Sequence, residues 1–235
     1  MTLHKKWSPP ACTRRIAVTL LGLLFVSVQA QQPTGLLYDP EPPVDSGYVR
    51  VMLTVDKSKV SVVVDDKLRV PSLEKDQVSD YMVMGAGKHQ IELLAAGKTI
   101  ASVALEVVRG SAVTVAFTSS DAAPEVFVDK TSTNKLKAVL SVYQLASKKE
   151  ALDVLTHDGA TKVFSGLTYG KSGAMQVNPI SVALIATKSE AKTSLASFSL
   201  TMTQGGAYSV FLLPTKSEKV AAVVVQNKIE RYTGK

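Results

Sequence analysis

Short segments in which apolar and polar residues alternate run through the chain from about residue 46 to residue 229. A period of two is typical of β-strands that bury one face. Residues that favour turns, mainly Gly, Asp, Asn and Lys, separate these segments. The clearest alternation occurs at residues 49–55, 60–64, 103–107, 180–184, 198–202 and 208–212. The pattern predicts an all-β fold.

The alternating segments fall into two blocks, residues 46–118 and 136–229. Residues 119–135 lose the alternation and are rich in Ser, Thr and Asp, which predicts a linker. The apolar run at 126–128 could instead dock on a neighbouring sheet. We therefore predict two tandem antiparallel β-sandwich (Ig-like) domains joined by a short linker, with a C-terminal tail at 230–235.

The two blocks share an order of elements. Residues 91–117 and 180–212 both indicate a strand, a Lys-containing turn, a strand, a second turn and a third strand. Two explanations are open at this point. One β-sandwich plan has been duplicated, or this rhythm is what any two antiparallel sandwiches have in common.

The first 30 residues have the layout of a cleavable secretory signal. An uncharged apolar run at 16–28 follows basic residues and ends at a small-x-small site at Ala30. The run is shorter than the roughly 20 residues needed to span a bilayer. We therefore expect an exported chain that begins at Gln31, lies outside the cytoplasm and has no transmembrane segment after cleavage.

Removal of the signal changes what the composition implies. The only Cys, Cys12, and the only Trp, Trp7, lie within it. The remaining chain then has neither a disulfide nor a thiol nucleophile. It keeps 23 basic and 20 acidic residues, because four of the 27 basic residues precede the cleavage site. A net charge of about +3 gives no indication of a nucleic-acid partner.

The sequence offers few groups for catalysis. The exported chain has two histidines, His89 and His157, and no Gly-x-Ser-x-Gly elbow. His157 precedes Asp158-Gly159, a hairpin-turn signal, so it is expected to be solvated. A surface position is likewise expected for His89. No spacing typical of a metal site stands out. We predict no catalytic residue, no metal and no cofactor.

Several short motifs carry a family resemblance. Residues 37–51 (LYDPEPPVDSGYVRV) combine an aromatic residue, a Pro-stiffened arm at 31–45 and a first strand. Residues 176–182 (QVNPISV), residues 140–142 (LSV) and Asp158-Gly159 add to the likeness. Together they resemble AlgF, the periplasmic accessory family of bacterial alginate O-acetylation. AlgF-like members also accompany cellulose acetylation systems.

The resemblance implies a non-catalytic adaptor that acts with periplasmic acetyltransferases and a membrane-bound O-acyltransferase. Tyr38 is the best candidate for a partner-binding residue. Arg50 is a second candidate, because it alternates outward from the Val49 face and could meet a partner or pair across the strand. Asn178 and Pro179 are expected to be structural and to set the entry of a strand.

Two other functions are weighed against the adaptor. The first is an acetyltransferase or esterase in its own right, which would need a reactive Ser beside His89 or His157. The second is a carbohydrate-binding sandwich that contacts the polysaccharide directly. Such modules usually expose aromatic platforms, and a chain without Trp after cleavage makes this function weaker.

Overall fold

The computed structural model of the chain describes residues 41–233 except Ser58, Lys192 and Glu218. The predicted signal peptide at 1–30 and Tyr38 lie outside the described residues, as does the predicted arm up to Pro40. The described part contains strands and no α-helix. It accordingly has no helix with the length and apolar character that a membrane crossing needs.

The N-terminal sandwich comprises two facing sheets built from nine strands. They are β1 (Ser46–Leu53), β2 (Val60–Val64), β3 (Lys67–Leu73), β4 (Gln77–Val78), β5 (Met82–Gly85), β6 (Gly87–Ala95), β7 (Lys98–Val107), β8 (Ala112–Phe117) and β9 (Glu125–Asp129). The inner sheet, which faces the other sandwich, has the order β4-β1-β8-β9, and β5 also pairs with β1. The outer sheet has the order β3-β2-β6-β7.

The C-terminal sandwich repeats this arrangement. Its inner sheet has the order β13-β10-β16-β17, and its outer sheet has the order β12-β11-β14-β15. The eight strands are β10 (Ala138–Gln144), β11 (Leu152–Thr156), β12 (Lys162–Leu167), β13 (Lys171–Val177), β14 (Ile180–Lys188), β15 (Ser194–Met202), β16 (Ala207–Pro214) and β17 (Val220–Gln226).

Strand pairing matches between the sandwiches strand by strand, except that β4 and β5 together take the place of β13. In each inner sheet the first strand runs parallel to the strand that follows the outer hairpin: β1 with β8, and β10 with β16. The other strand pairs are antiparallel. The prediction of an all-β chain with tandem sandwiches is therefore confirmed, with one parallel pair in each. The shared plan favours duplication over a merely similar rhythm.

Each sandwich buries its own apolar core between its two sheets. In β1 the core residues are Val49, Val51 and Leu53, as the alternation predicted. In β15 they are Ala196, Phe198, Leu200 and Met202. Residues at every second position contribute because neighbouring side chains of a strand point to opposite faces.

A third apolar cluster lies between the two inner sheets and joins the sandwiches. It contains Met52, Ala116, Phe127, Tyr143, Leu145, Phe211 and Leu213. Phe127 meets Tyr143 edge-on at 5.1 Å between ring centroids, and Tyr143 stacks on Phe211 at 4.5 Å. Both faces of the central inner strands are thus buried, which explains why β1 and β10 are almost entirely inaccessible.

Part of the predicted linker is a strand. Within residues 119–135, β9 pairs with β8, and Phe127 is only 4% exposed. The apolar run at 126–128 therefore docks on a sheet, which was the alternative weighed from the sequence. An aromatic side chain with a buried site available gains more from packing than from solvation.

Gly166, Gly170 and Gly173 do not share one loop, because β12 includes the first and β13 the last. Gly173 lies inside β13, with the ring of Phe164 packed above it. A Cβ at Gly173 would come within 2.6 Å of that ring, so this glycine permits close packing within a strand. Tight hairpin turns at Asp65-Asp66 and Ala96-Gly97 have positive φ at all four residues.

The chain after β17 returns to the N-terminal sandwich. Ile229 forms a parallel bridge with Tyr81, and Glu230 N–H donates to the Tyr81 carbonyl at 2.9 Å. The Glu230 carboxylate also accepts from Val83 N–H at 2.9 Å and pairs with Arg69. The predicted tail at 230–235 thus begins with an anchored residue.

Candidate functional site

Arg50 lies at the centre of the interface between the sandwiches. It is on β1, directly opposite Thr114 of β8, and it points away from the core that holds Val49 and Val51. Only 1% of it is exposed. A buried guanidinium is costly unless its donors are satisfied, so its partners decide what this residue does.

Every nitrogen of Arg50 has a hydrogen-bond partner. Nε donates to Thr114 Oγ1 at 2.8 Å, and Nη1 donates to Asn227 Oδ1 at 2.8 Å. Nη2 donates to Tyr143 OH at 3.0 Å and to Ser209 Oγ at 2.8 Å. Three of these four partners belong to the C-terminal part of the chain. Arg50 therefore connects the two sandwiches.

Asp129 supplies the opposite charge. Its Oδ2 accepts from Tyr81 OH at 2.7 Å and from Thr114 Oγ1 at 2.6 Å, and its Oδ1 accepts from Tyr143 OH at 2.7 Å. The hydroxyls of Thr114 and Tyr143 each accept from Arg50 and donate to Asp129. The two charges are thus coupled through shared hydroxyls. We call this set the Arg50 cluster: Arg50, Tyr81, Thr114, Asp129, Tyr143, Ser209 and Asn227.

The two phenols of the cluster remain protonated. Burial, followed by the charge of Asp129, raises the pKa of Tyr143 to about 12. Burial also raises the pKa of Tyr81 well above its ordinary value, although the Arg50 guanidinium opposes the shift. The guanidinium carbon lies 4.5 Å from the Tyr81 ring centroid, a cation–π distance. Both phenols therefore act as stable hydrogen-bond donors rather than as bases.

The Arg50 cluster uses equivalent positions of the two sandwiches. Thr114 of β8 lies opposite Arg50 of β1, and Ser209 of β16 lies opposite Ser141 of β10, so Thr114 and Ser209 are equivalent. Ser209 Oγ donates to Asn227 at 2.8 Å, as Thr114 donates to Asp129. Each sandwich thus contributes a hydroxyl with a carboxylate or an amide. The position equivalent to Arg50 is Ser141, so the arginine comes from one sandwich alone.

A groove of about 280 Å³ opens beside the cluster, between the two sandwiches. Tyr48, Tyr81, Asp129 and Asn227 contribute to its wall. Its other lining residues include four lysines: Lys130, Lys135, Lys137 and Lys228. The groove is therefore positively charged at its rim.

A second groove, of about 460 Å³, contains His89 and Asp65, a histidine–carboxylate pair of the kind found in catalytic triads. His89 Nδ1 lies 2.6 Å from Asp65 Oδ2, and Nε2 lies 2.9 Å from the Gly85 carbonyl oxygen. The hydrogen bond from Gln90 N–H, then that from His89, lowers the pKa of Asp65. Asp65 is therefore a carboxylate, and both ring nitrogens of His89 face acceptors.

This arrangement does not fit a Ser-His-Asp triad. Ser46 lines the same groove, but a general base needs an unprotonated nitrogen directed at the nucleophile. Each ring nitrogen of His89 is directed at an acceptor, Asp65 Oδ2 or the Gly85 carbonyl oxygen, so neither is directed at Ser46. His157 is exposed in the turn between β11 and β12. Among residues 41–233, the described side chains form no cluster of three or more His, Cys, Asp or Glu suited to a metal.

The structure gives different positions to the residues singled out from the sequence. Tyr38 lies outside the described residues. Asn178 and Pro179 form the exposed connection between β13 and β14, at the expected strand entry. Arg50 is buried and pairs across the strand with Thr114, which is one of the two roles expected for it. The other role, contact with a partner protein, does not fit this structure, because only 1% of Arg50 is exposed.

Sequence reasoning missed most of the Arg50 cluster. Tyr143 and Ser209 come from β10 and β16, whereas Tyr81 precedes β5 and Asn227 follows β17, and no local pattern links the four. Asp129 ends a strand within the predicted linker. The only sequence signal was an arginine flanked by the apolar residues Val49 and Val51.

Fold and site together define a class: tandem β-sandwich proteins whose two domains are joined through a buried polar cluster. A family model described as "Alginate O-acetyl transferase AlgF" matches residues 19–209. The chain belongs to this AlgF family, which confirms the resemblance drawn from its motifs, and it is therefore related to alginate O-acetylation.

Solved structures and curated proteins were also compared. The C-terminal domain of AlgF from P. aeruginosa is 24% identical, covers 39% of this chain and 99% of its own length, and has a TM-score of 0.34. A family CBM26 module from Eubacterium rectale Amy13K, solved with maltoheptaose, is 12% identical, covers 80% of this chain and 99% of its own length, with a TM-score of 0.29. No curated protein matches the chain.

Proposed function

We propose that this chain is a periplasmic, non-catalytic adaptor for O-acetylation of an exported polysaccharide, alginate or cellulose. It acts by binding periplasmic acetyltransferases and a membrane-bound O-acyltransferase, and so holds acyl donor and acceptor proteins together. The Pro-rich arm with Tyr38 and the exposed strand edges are the surfaces offered for these contacts.

One observation carries the proposal. The Arg50 cluster, which contains two opposite charges and two phenols, lies largely buried between the two sandwiches and joins them into one body. Its hydrogen bonds satisfy the arginine and the aspartate within the chain. A rigid two-domain body suits the presentation of surfaces at a fixed spacing, because little ordering entropy is then lost on binding.

The geometry at His89 supports the same proposal. A histidine held between Asp65 and the Gly85 carbonyl stabilises the turn at Asp65 rather than activating Ser46. The rival enzyme function would require this histidine to turn away from both acceptors.

A complementation experiment tests the proposal. In a strain that lacks this gene, the acetyl content of the exported polysaccharide is measured by NMR after return of wild type, His157→Ala or His89→Gln. The adaptor predicts restored acetylation with either variant, provided that circular dichroism shows a folded protein. Loss of acetylation by a folded His157→Ala or His89→Gln protein, together with turnover of an acetyl ester by purified wild type, would establish the enzyme instead.

A titration separates the adaptor from a carbohydrate-binding module. The lysine-rimmed groove is the place where an acidic oligosaccharide would bind, so oligouronates and cello-oligosaccharides are titrated and followed by calorimetry. The adaptor predicts no saturable heat with either sugar. Saturable binding that is lost on Lys135→Gln would favour direct contact with the polysaccharide.

A further inference from the structure

The two sandwiches differ at one edge, although they share one plan. In the C-terminal sandwich, β15 of the outer sheet packs against β17 of the inner sheet. No comparable packing joins the equivalent strands β7 and β9 within the described residues. Phe198 and Leu200 of β15 are buried, whereas their equivalents on β7, Val103 and Leu105, are only half-buried. This edge of the N-terminal sandwich is open.

Two valines of β9 line the open edge. Val126 and Val128 lie opposite Val115 and Val113 of β8, so they face the same side of the sheet as the core. They are nevertheless 44% and 76% exposed. On β17, Gln226 occupies the position equivalent to Val128, as their pairing with β16 and β8 shows. An apolar residue thus stands exposed where the other sandwich has a polar one.

We propose that the free edge of β9 docks an extended segment of a partner protein. The segment adds as a strand beside β9 and places apolar side chains at alternate positions against Val126 and Val128. This inference rests on the proposed adaptor function, which it deepens by naming the surface and the form of the partner segment.

The molecule itself indicates which side chains suit this surface. In the C-terminal sandwich the core-side face of β17 packs against β15 of the facing sheet, which has apolar residues at every second position and Ser or Thr between them. The corresponding face of β9 is left open, so a strand added at its edge would cover it with apolar residues in the same alternation. β9 is also the last strand of its sheet within the described residues, so its outward backbone groups are available for pairing.

β9 is held in place by contacts on the face that lies opposite Val126 and Val128. Phe127 belongs to the apolar cluster between the sandwiches, and Asp129 belongs to the Arg50 cluster. The edge is therefore continuous with the interface that joins the domains, and β9 needs little further ordering when a partner binds. Pro124 precedes the strand and Lys130 follows it, which confines pairing to about five residues.

The test uses a substitution that the chain itself supplies. Val128→Gln introduces the residue of the equivalent position in β17 and removes the apolar contact without disturbing a buried site. Leu68→Gln is the matched control, because Leu68 is also an exposed apolar residue of the N-terminal sandwich but lies on β3. Binding of the full exported chain to each purified periplasmic acetyltransferase of its system is measured by biolayer interferometry.

We expect Val128→Gln to weaken binding by about 10-fold or more, equivalent to about 1.4 kcal/mol, and Leu68→Gln to change it by less than about twofold. We also expect the partner to protect β9 amides from hydrogen exchange in the wild type. Unchanged affinity of Val128→Gln with unprotected β9 amides would overturn the docking edge and leave the adaptor function standing.

Two further outcomes would count against the inference in distinct ways. If the wild type binds none of the acetylation proteins, the proposed function itself fails. If sedimentation instead reveals a dimer of this chain that Val128→Gln dissociates, the occupant is a second copy and not a partner protein, and the inference is overturned.

Discussion

Arg50 shows how one buried charge can be kept inside an all-β protein. Removing a guanidinium from water costs several kcal/mol, on the order that buried ions generally require. Four hydrogen bonds and the nearby Asp129 offset this cost. Such a network is sensitive to loss of one member, because the remaining charge stays buried without its partner.

Replacing Arg50 tests this dependence. We expect Arg50→Met to lower the free energy of unfolding by about 3 to 5 kcal/mol, since the buried acceptors of Arg50 then lose their donor and the half-buried Asp129 loses its counter-charge. Urea unfolding followed by circular dichroism measures the change. Arg109→Met, at an exposed arginine in the turn before β8, should change stability by less than about 0.5 kcal/mol. Equal effects of the two variants would contradict the role given to Arg50.

A second residue-scale prediction concerns acid. Burial pushes the pKa of Asp153 upward, but hydrogen bonds from Lys162 Nζ, Gly166 N–H and Ser189 Oγ outweigh it and hold the pKa at about 2. The folded-state pKa is thus below the value of about 3.9 in an unfolded chain. Its contribution to stability is complete above about pH 4 and is lost as the pH falls through about 2.

We therefore expect Asp153→Asn to be less stable than wild type at pH 6, with the difference shrinking between pH 4 and pH 2. Unfolding midpoints measured across this range check the result. Asp80→Asn, at an exposed carboxylate, is the control for removing one negative charge from the surface. A difference that stays constant down to pH 2 would show that Asp153 does not titrate as described.

At the scale of elements, periodicity predicted the strands whose two faces differ. The order proposed for residues 91–117 and 180–212 corresponds to β6–β8 and β14–β16. Two strands that depend on one particular packing contact, β13 and β9, were not evident from periodicity. β13 contains a glycine that accommodates Phe164, and β9 lies within a polar segment where only 126–128 signalled a strand. Their partners are distant in sequence, so local patterns could not specify them.

The start of β1 provides a prediction about close packing. A Cβ on Gly47 would come within 2.5 Å of Val107 Cγ1 and 2.8 Å of the Val108 carbonyl oxygen. We expect Gly47→Ala to cost about 1 to 3 kcal/mol of stability through overpacking, measured by urea unfolding. Gly85→Ala is the matched control on the neighbouring strand β5, because its Cβ would meet nothing within 4 Å. A larger cost at Gly85 would contradict this account.

At the scale of the whole molecule, the sequence predicted two sandwiches but not how they are joined. Tyr143 and Ser209, which join Arg50 to the C-terminal sandwich, are 93 and 159 positions from it along the chain. Arg50 on an otherwise apolar strand was interpreted as a surface residue, since one sandwich alone would expose it. The face of β1 that carries Arg50 is buried only because the second sandwich packs against it.

The shared interior predicts joint unfolding. We expect one calorimetric transition for the exported chain, because Phe127 and the Arg50 cluster couple the two sandwiches. Phe127→Ala should remove about 3 to 5 kcal/mol of packing and separate the transition into two. Fluorescence and circular dichroism recorded together provide the check. Two separate transitions in the wild type would contradict the coupling.

The lone arginine also constrains how such a molecule could have evolved. Two identical sandwiches would each carry whatever residue stood at this position, so an arginine in one copy would place a second arginine in the same interface. The observed difference between Arg50 and Ser141 is possible only when the two copies are encoded separately. Duplication of the repeat therefore preceded the divergence that gave the interface its charge.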